Sequence, residues 1–515
     1  MPVQCTIKPG EYRDSVALME ISRQVSQYPG VSDSAVVMAT RANQAILREA
    51  GLLTPEIERA DANDLVVVVQ AESADAVRRA LEAAEGYLAR QAKPTETGMS
   101  FRPRTIRGAV GTFPGANMAL ISVAGRYAAL EAWEALRCGL HVLLFSDNVS
   151  IEEEVALKRY AVERGLLMMG ADCGTAIING VALGFANAVP RGPIGIAAAS
   201  GTGLQEVSTL LAKMGLGISQ AIGTGGRDLK ELVGGITMLE GVGALESDPE
   251  TRVLVLISKP PAPAVARCVL ERVSAVGKPT VVCFLGGDPA PIASAGAIPA
   301  RTLQEAAHLA AATVGGSLAG DVITRERADL EALAAELKGR LWLGQRFLRG
   351  LYSGGTLASE ALVIWQDLGI DVLSNVALEP RRTLRDATRS EGHSAIDLGD
   401  DEFTVGRPHP MIDHSLRIRR LHQEAADPEV AVVVLDLVLG YGAHPSPAGE
   451  LGPAVREARA HAHDAGRELI VIASVTGTEE DPQVLSRQVQ KLEVSGAIVV
   501  SCNAAAAWLA GRIVA

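Results

Sequence analysis

Gly195-Ile196-Ala197-Ala198-Ala199-Ser200-Gly201-Thr202-Gly203-Leu204-Gln205-Glu206 is the stretch on which the reading of this chain turns. Its first half is a run of small apolar residues, the composition of a strand buried on both faces. A serine then stands where a helix needs its N-cap, and nothing bulkier than threonine follows for three positions. Such a turn leaves backbone N–H groups unpaired at the positive end of a helix, where an anion, most often a phosphate, fits. The device recurs at Leu351-Tyr352-Ser353-Gly354-Gly355-Thr356-Leu357-Ala358-Ser359-Glu360. Ser200, Gly201, Thr202 and Gly203 are therefore expected to face Ser353, Gly354, Gly355 and Thr356 across one anion site.

The two turns open two copies of one unit, residues 191–330 and 345–515. In each, a helix follows the turn, stops at a glycine (Gly215, Gly369) and leads to a strand. A loop comes next: Gly223-Thr224-Gly225-Gly226-Arg227-Asp228 in one copy, Asp397-Leu398-Gly399-Asp400-Asp401 in the other. Both copies then carry Asp-Pro-Glu (248–250, 427–429) before a buried apolar strand. Ser200 lies 48 positions before Asp248 and Ser353 lies 74 before Asp427, so the second copy carries an insertion, mostly around Asn375–Ser394. Apolar strands alternating with helices mean parallel sheets covered on both faces.

At 515 residues the chain is too long for one core. Apolar residues make up 48%, aromatics only 3%, and there are 52 glycines, a profile of closely packed α/β layers. The net charge of −12 disfavours nucleic-acid and anionic-membrane partners but leaves room for a small anion at a locally positive site. The six cysteines (5, 138, 173, 268, 283 and 502) form no CxxC pair, which argues against zinc patterns and a disulfide framework and for a reducing cytoplasm. No secretory leader and no apolar run of about 20 residues is present.

Ahead of the repeat, residues 1–91 read as a small α/β domain, strands and helices alternating as in ferredoxin-like modules. Arg13, Arg41 and Asn43 sit near element ends there. Residues 92–104 read as a linker. Residues 105–190 read as a second α/β unit, with strands near 119–124, 141–145 and 166–169. The last strand runs into Gly170-Ala171-Asp172-Cys173-Gly174-Thr175, and loops at carboxyl strand ends carry ligands in open α/β sheets. Cys173, Gly174 and Thr175 are candidates for that reason, although no basic neighbour activates Cys173.

In the repeat loops, Gly225 and Gly226 permit close backbone approach, and Arg227 offers a fork for a carboxylate or phosphate. Asp228 either holds Arg227 or caps the next helix. The densest polar run, 396–413, contains Asp397, Gly399, Asp400, Asp401, Arg407 and His409, the histidine held between Pro408 and Pro410. A histidine fixed in that way suits general acid or base work, and the carboxylates suit Mg²⁺. No spacing supports a histidine-based metal site.

These motifs resemble the FdrA family, distant relatives of succinyl-CoA synthetase. The resemblance covers nearly the whole chain and is most specific at 170–175, 199–203, 222–229, 351–357 and 396–413. It implies a multidomain α/β fold of parallel sheets: the small N-terminal domain, a truncated CoA-binding-like unit at 105–190, and two tandem flavodoxin-like ligase units. In the synthetases, two helix N-termini hold the phosphate of a phosphohistidine within His-Ala-Gly-Ala-Ile. Here the corresponding stretch is Ser294-Ala295-Gly296-Ala297-Ile298, with serine in the histidine's place. No ATP-grasp domain is evident. The family resembles a subunit of the oxamate carbamoyltransferase of allantoin breakdown, which interconverts oxamate and carbamoyl phosphate with oxalurate and phosphate. That implies small anionic substrates, no required cofactor, companion subunits or a homo-oligomer, Arg227 or Arg407 on the oxamate carboxylate, and His409 as acceptor of the amide proton. An acyl-CoA synthetase subunit using CoA and nucleotide is the alternative, and a non-catalytic scaffold a second.

Overall fold

The computed structural model describes the chain except residues 12, 14, 41, 42, 45, 46, 49, 92–102, 316–318 and 405–407. Arg41, Arg407 and most of the 92–104 linker thus lie outside the described residues. At the N-terminus, β1 (Val3–Lys8), β2 (Val31–Met38) and β3 (Leu65–Ala71) form an antiparallel sheet in the order β1-β3-β2. Alternation along β3 serves two cores. Leu65, Val67 and Val69 pack under helices Ser15–Ser26 and Ala74–Gln91, while Val66 and Val68 pack on the opposite face with Ile57 and Leu52.

Three parallel strands follow, β4 (Met118–Ile121), β5 (His141–Leu144) and β6 (Met168–Met169), with helices Gly125–Arg137 and Ile151–Glu163 between them. Residues 175–184, read from sequence as the end of this unit, do otherwise. They form the hairpin β7 (Thr175–Ile178) and β8 (Val181–Gly184), closed by Asn179 and Gly180 at φ 53° and 80°. The hairpin joins the next sheet, in the order β13-β12-β11-β9-β10-β7-β8. Its core is parallel: β9 (Arg191–Ala199), β10 (Ile218–Gly223), β11 (Val253–Ser258), β12 (Thr280–Phe284) and β13 (Ile298–Pro299). A unit boundary drawn at 190 therefore cuts through this sheet.

The last sheet is wholly parallel: β14 (Phe347–Tyr352), β15 (Val372–Ser374), β16 (His393–Asp397), β17 (Val430–Val438), β18 (Ile470–Thr476) and β19 (Ile498–Val500), in the order β15-β16-β14-β17-β18-β19. In both sheets the strand that enters the Ser-Gly turn is central. In the second copy the inserted residues lead back into β16, which lies between β14 and β15. Hence the loops after β10 and β16 occupy matching places beside the two turns.

One hydrophobic core joins both sheets. It runs from Ile194, Ile196 and Leu204 through Leu303 and Ala306 to Leu357, Trp365 and Leu509. Helix Ala319–Lys338, which the sequence reading split at residue 330, crosses to the last helix, Asn503–Val514. Arg512 pairs with Glu331 there at 2.5 Å, and Lys338 Nζ reaches Ala515 O at 2.6 Å.

Candidate functional site

The two Ser-Gly turns touch. Ser200, with extended backbone, caps helix Gly201–Lys213 by accepting from Gly203 N at 2.9 Å. Its hydroxyl donates in turn to Thr356 Oγ1 at 2.7 Å, in the first turn of helix Gly355–Asp367. Glycine is needed on both sides of this junction. A Cβ on Gly354 would lie 3.0 Å from Thr202 Cβ, and one on Gly203 would lie 3.1 Å from Thr356 Cγ2 and 2.5 Å from Ser200 Oγ. Two positive helix ends are thus pressed together at the carboxyl edges of both sheets.

The second turn is not the open cradle expected from its sequence. Ser353 N and Gly354 N donate to the two oxygens of Asp436, at 2.8 and 2.9 Å, and Ser353 Oγ donates to the same carboxylate. Asp436 is fully buried on β17 and pairs at 2.9 Å with the equally buried Arg417. The protein's own carboxylate already serves these two amides, so Ser353 and Gly354 are not free for a ligand. First-turn amides of Gly201, Thr202, Gly355 and Thr356 remain without an intrahelical acceptor.

Lys259, directly after β11, and Asp397, at the end of β16, meet at Gly355. A Cβ there would lie 2.9 Å from Lys259 Nζ and 2.2 Å from Asp397 Oδ2. Lys259 is half-buried and forms no ion pair within 4.0 Å among the described residues. Burial pushes the Asp397 carboxyl up to about 6, opposed by Lys259 and by the Gly399 amide that donates to Oδ1 at 2.9 Å. His409 Nε2 closes the same corner, 2.8 Å from where a Gly399 Cβ would be.

His409 does not have the character of a base. Its Nδ1 accepts from Met411 N at 3.2 Å, so the neutral ring carries its proton on Nε2. Burial, with Arg417 nearby, holds its pKa down at about 4. The nitrogen facing the cleft is therefore a hydrogen-bond donor at neutral pH.

The opposite wall is built from the 170–175 loop against the glycine loop after β10. A Cβ on Gly225 (φ +93°) would lie 2.4 Å from Ala171 O, and one on Gly226 would lie 3.0 Å from Asp172 Oδ2. Cys173 is buried, and burial pushes its thiol up to about 12, so it is packing and not a ligand group. Thr175 donates to Phe185 O at 2.7 Å and abuts Gly201; Gly174 lies beside the Phe185 ring.

Asp228 is also structural. It is fully buried, pairs with Lys158 at 2.6 Å, and accepts from Thr237 N and Met238 N at the start of helix Ile236–Ser247. Arg227 is partly committed, to Glu154 at 2.8 Å and Val149 O at 2.9 Å. Asp400 accepts from Glu402 N at 3.2 Å, while Asp401, at the start of the short helix Asp401–Thr404, is raised by burial, Asp400 and Asp147.

Lys259, Asp436 and Arg417 escaped the sequence reading. A charged residue at the carboxyl end of a buried strand was the available signal for the first two.

One His-His-carboxylate group exists among the described residues: His414, His444 and Glu450. His444 Nδ1 accepts from Ser446 N at 3.0 Å, and its Nε2 lies 3.2 Å from Glu450 and 3.3 Å from the Arg23 guanidinium, so a cation of the chain already stands beside this group.

A profile described as CoA-ligase matches residues 351–513, and one described as CoA binding domain matches residues 191–286. The latter falls on the stretch read as a first ligase unit, and not on 105–190. A third, described as AllF, heavy metal-associated domain, matches residues 1–103. Residues 1–103 contain one cysteine and no histidine. Cys5 Sγ is hydrogen-bonded with Thr54 Oγ1 at 3.3 Å, and burial raises its pKa, so this segment does not fit a soft-metal site.

"Uncharacterized protein YahF" of Escherichia coli K12 is 47% identical over 519 residues, covering 100% of this chain and 99% of YahF. The alpha subunit of an ADP-forming succinate–CoA ligase of Aquifex aeolicus is 31% identical over 151 residues, 28% of this chain and 48% of that subunit. A dinucleotide-forming acetyl-coenzyme A synthetase of Ca. Korarchaeum cryptofilum covers 77% of the chain and 82% of its own, at 16% identity and a TM-score of 0.33, too loose a likeness to carry an argument. Fold and sequence together define an α/β protein of the CoA-ligase type. The chain belongs to the FdrA-like, succinyl-CoA synthetase-related family that includes YahF.

Proposed function

We propose that this chain is a subunit of a carbamoyltransferase that works through an acyl-phosphate site, converting oxamate and carbamoyl phosphate to oxalurate and phosphate, and the reverse. The observation that carries this reading is the junction at Ser200 and Thr356, where two helix N-termini and the unpaired Lys259 ammonium converge. Amides of Gly201, Thr202, Gly355 and Thr356 with Lys259 hold the phosphate and stabilise its charge as the C–O bond breaks. His409 Nε2–H donates to the acyl oxygen, and the free edge of Arg227 takes the carboxylate of the acceptor.

Ser294, in the place of the synthetases' phosphorylated histidine, supports chemistry without a phosphorylated side chain. It is exposed, and its hydroxyl donates to Ala290 O within its own helix. A CoA-ligase subunit is the second reading, favoured by the profiles at 191–286 and 351–513. Thr356 and Gly354 pack on the Thr202–Gly203 side of that turn, so a CoA pyrophosphate would compete for the same amides that hold the phosphate here. The reading places the chain in the cytoplasm with companion subunits. No described helix is long and apolar enough to cross a membrane.

The test is phosphate release from carbamoyl phosphate and oxamate by the purified chain, with and without its companion proteins. Release dependent on oxamate is expected; none under either condition ends the carbamoyltransferase reading. CoA-dependent nucleotide hydrolysis with a panel of carboxylates would favour the ligase instead.

A further inference from the structure

We propose that Asp172 is the catalytic base of this site, taking the proton from the nitrogen nucleophile as it attacks the acyl phosphate. The proposal rests on the acyl-phosphate reading above. A nitrogen nucleophile must lose a proton as its lone pair forms the C–N bond to the carbonyl carbon. The C–O bond to phosphorus breaks, its electron pair leaves with the phosphate, and the proton passes to a carboxylate oxygen of Asp172.

The other candidates are spent. His409 presents a protonated Nε2 to the cleft. Asp397 is only 4% exposed, its Oδ1 accepting from Gly399 N and its Oδ2 set against Lys259 and Gly355. Cys173 is buried, and Asp228 is paired with Lys158. Asp172 alone in the 170–175 loop is exposed, and its carboxylate has no hydrogen-bond or ion-pair partner among the described residues.

Its backbone is in the left-handed region at φ +55°, which aspartate adopts more readily than most residues other than glycine. Two bonds hold it there, from Asp172 N to Ser146 O at 3.1 Å and from Cys173 N to Leu144 O at 3.2 Å. The conformation sets the side chain beside the glycine loop on the same wall of the cleft, with Oδ2 against Gly226. Four charged groups face it: Asp147 after β5, Asp401 after β16, Arg227 on the glycine loop and Lys259 after β11. The protein packed around this solvent-accessible group, together with the two carboxylates and against the two cations, raises the Asp172 carboxyl toward neutrality, where a base is both ionised and basic enough to act.

The experiment measures phosphate release from carbamoyl phosphate and oxamate between pH 5 and 9, with wild-type chain and its companion proteins, and with Asp172→Asn and Asp172→Glu. Asparagine tolerates the left-handed backbone, so the first variant keeps the fold. The expected result is a wild-type kcat that rises through about pH 7 and a loss of roughly 10²–10⁴-fold in Asp172→Asn. That variant should also lose the acidic limb, with orthophosphate binding by calorimetry unchanged, and Asp172→Glu should regain part of the rate. A kcat within threefold of wild type, an unaltered acidic limb, or a parallel loss of orthophosphate binding in Asp172→Asn would overturn the assignment while the carbamoyltransferase reading stands. Wild-type inactivity with oxamate overturns the reading itself and the base assignment with it.

Discussion

Gly355 is where the site is most sensitive to a single atom. An alanine methyl would sit 2.2 Å from Asp397 Oδ2 and 2.9 Å from Lys259 Nζ: the lysine end can swing away, but the buried Asp397 carboxylate, held by Gly399 N, has to shift. Gly355→Ala should therefore fold with a loss of stability that denaturant titration reads separately from binding. It should lower orthophosphate affinity about 10-fold, close to 1.4 kcal/mol, which calorimetry reads directly; affinity within twofold of wild type would remove Gly355 and Lys259 from the anion site. Ser200→Ala tests the other side of the junction. It removes the cap on Gly203 N and the bond to Thr356 Oγ1, and should cost about 1–2 kcal/mol in denaturant unfolding. Stability unchanged in that variant would mean the two turns do not depend on each other.

At the scale of elements, the loop that looked like a second phosphate cradle is organised by a strand residue. Asp436 on β17 and Arg417 on helix Ser415–Ala426 tie the β14 turn in place, with Arg417 Nη2 also donating to Leu351 O at 3.0 Å. Asp436→Ala would strand two buried amides and a buried guanidinium, and should cost about 3–5 kcal/mol by denaturant titration; a loss below 1 kcal/mol would show that the turn is held by packing alone. Strands and helices of the repeat were legible because buried runs such as Val253–Ile257 and Val430–Leu435 alternate with amphipathic helices. The Ser-Gly turns were legible because capping is local. Sheet order was not: nothing local says that β16 enters between β14 and β15, or that the Asn179-Gly180 hairpin joins the neighbouring sheet, although that dipeptide is a hairpin signal in its own right. Asp436, Lys259 and Arg417 stayed hidden for the same reason. Their roles arise from contacts between elements far apart in sequence, and inside an apolar run a charged residue reads as a strand end.

For the whole molecule, the question is what holds two similar units face to face. Helices Gly201–Lys213 and Gly355–Asp367 meet in a shared core, and each carries a glutamate at the same place, six residues past its N-cap: Glu206 and Glu360. Both are buried and both bind Asn503, at the start of the last helix. Asn503 N donates to Glu206 Oε1 at 3.0 Å, and Asn503 Nδ2 donates to Glu360 Oε2 at 2.7 Å, while Leu303 N donates to Glu360 Oε1 at 2.6 Å. Burial, with the Glu206 carboxylate close by, pushes the Glu360 carboxyl up to about 8. In the unfolded chain it titrates near 4.5, so between those values the folded protein holds a proton that the unfolded chain has released. The stability contributed is complete below about pH 4.5 and is lost progressively as pH rises through about 8, amounting to several kcal/mol. Denaturant unfolding at fixed ionic strength should therefore show stability falling steadily from pH 6 to 8 and levelling above. Glu360→Gln cannot titrate, and its curve should be flatter across that window whatever its absolute stability. An equal slope in the variant would assign the proton to another group and leave the joint between the units insensitive to pH.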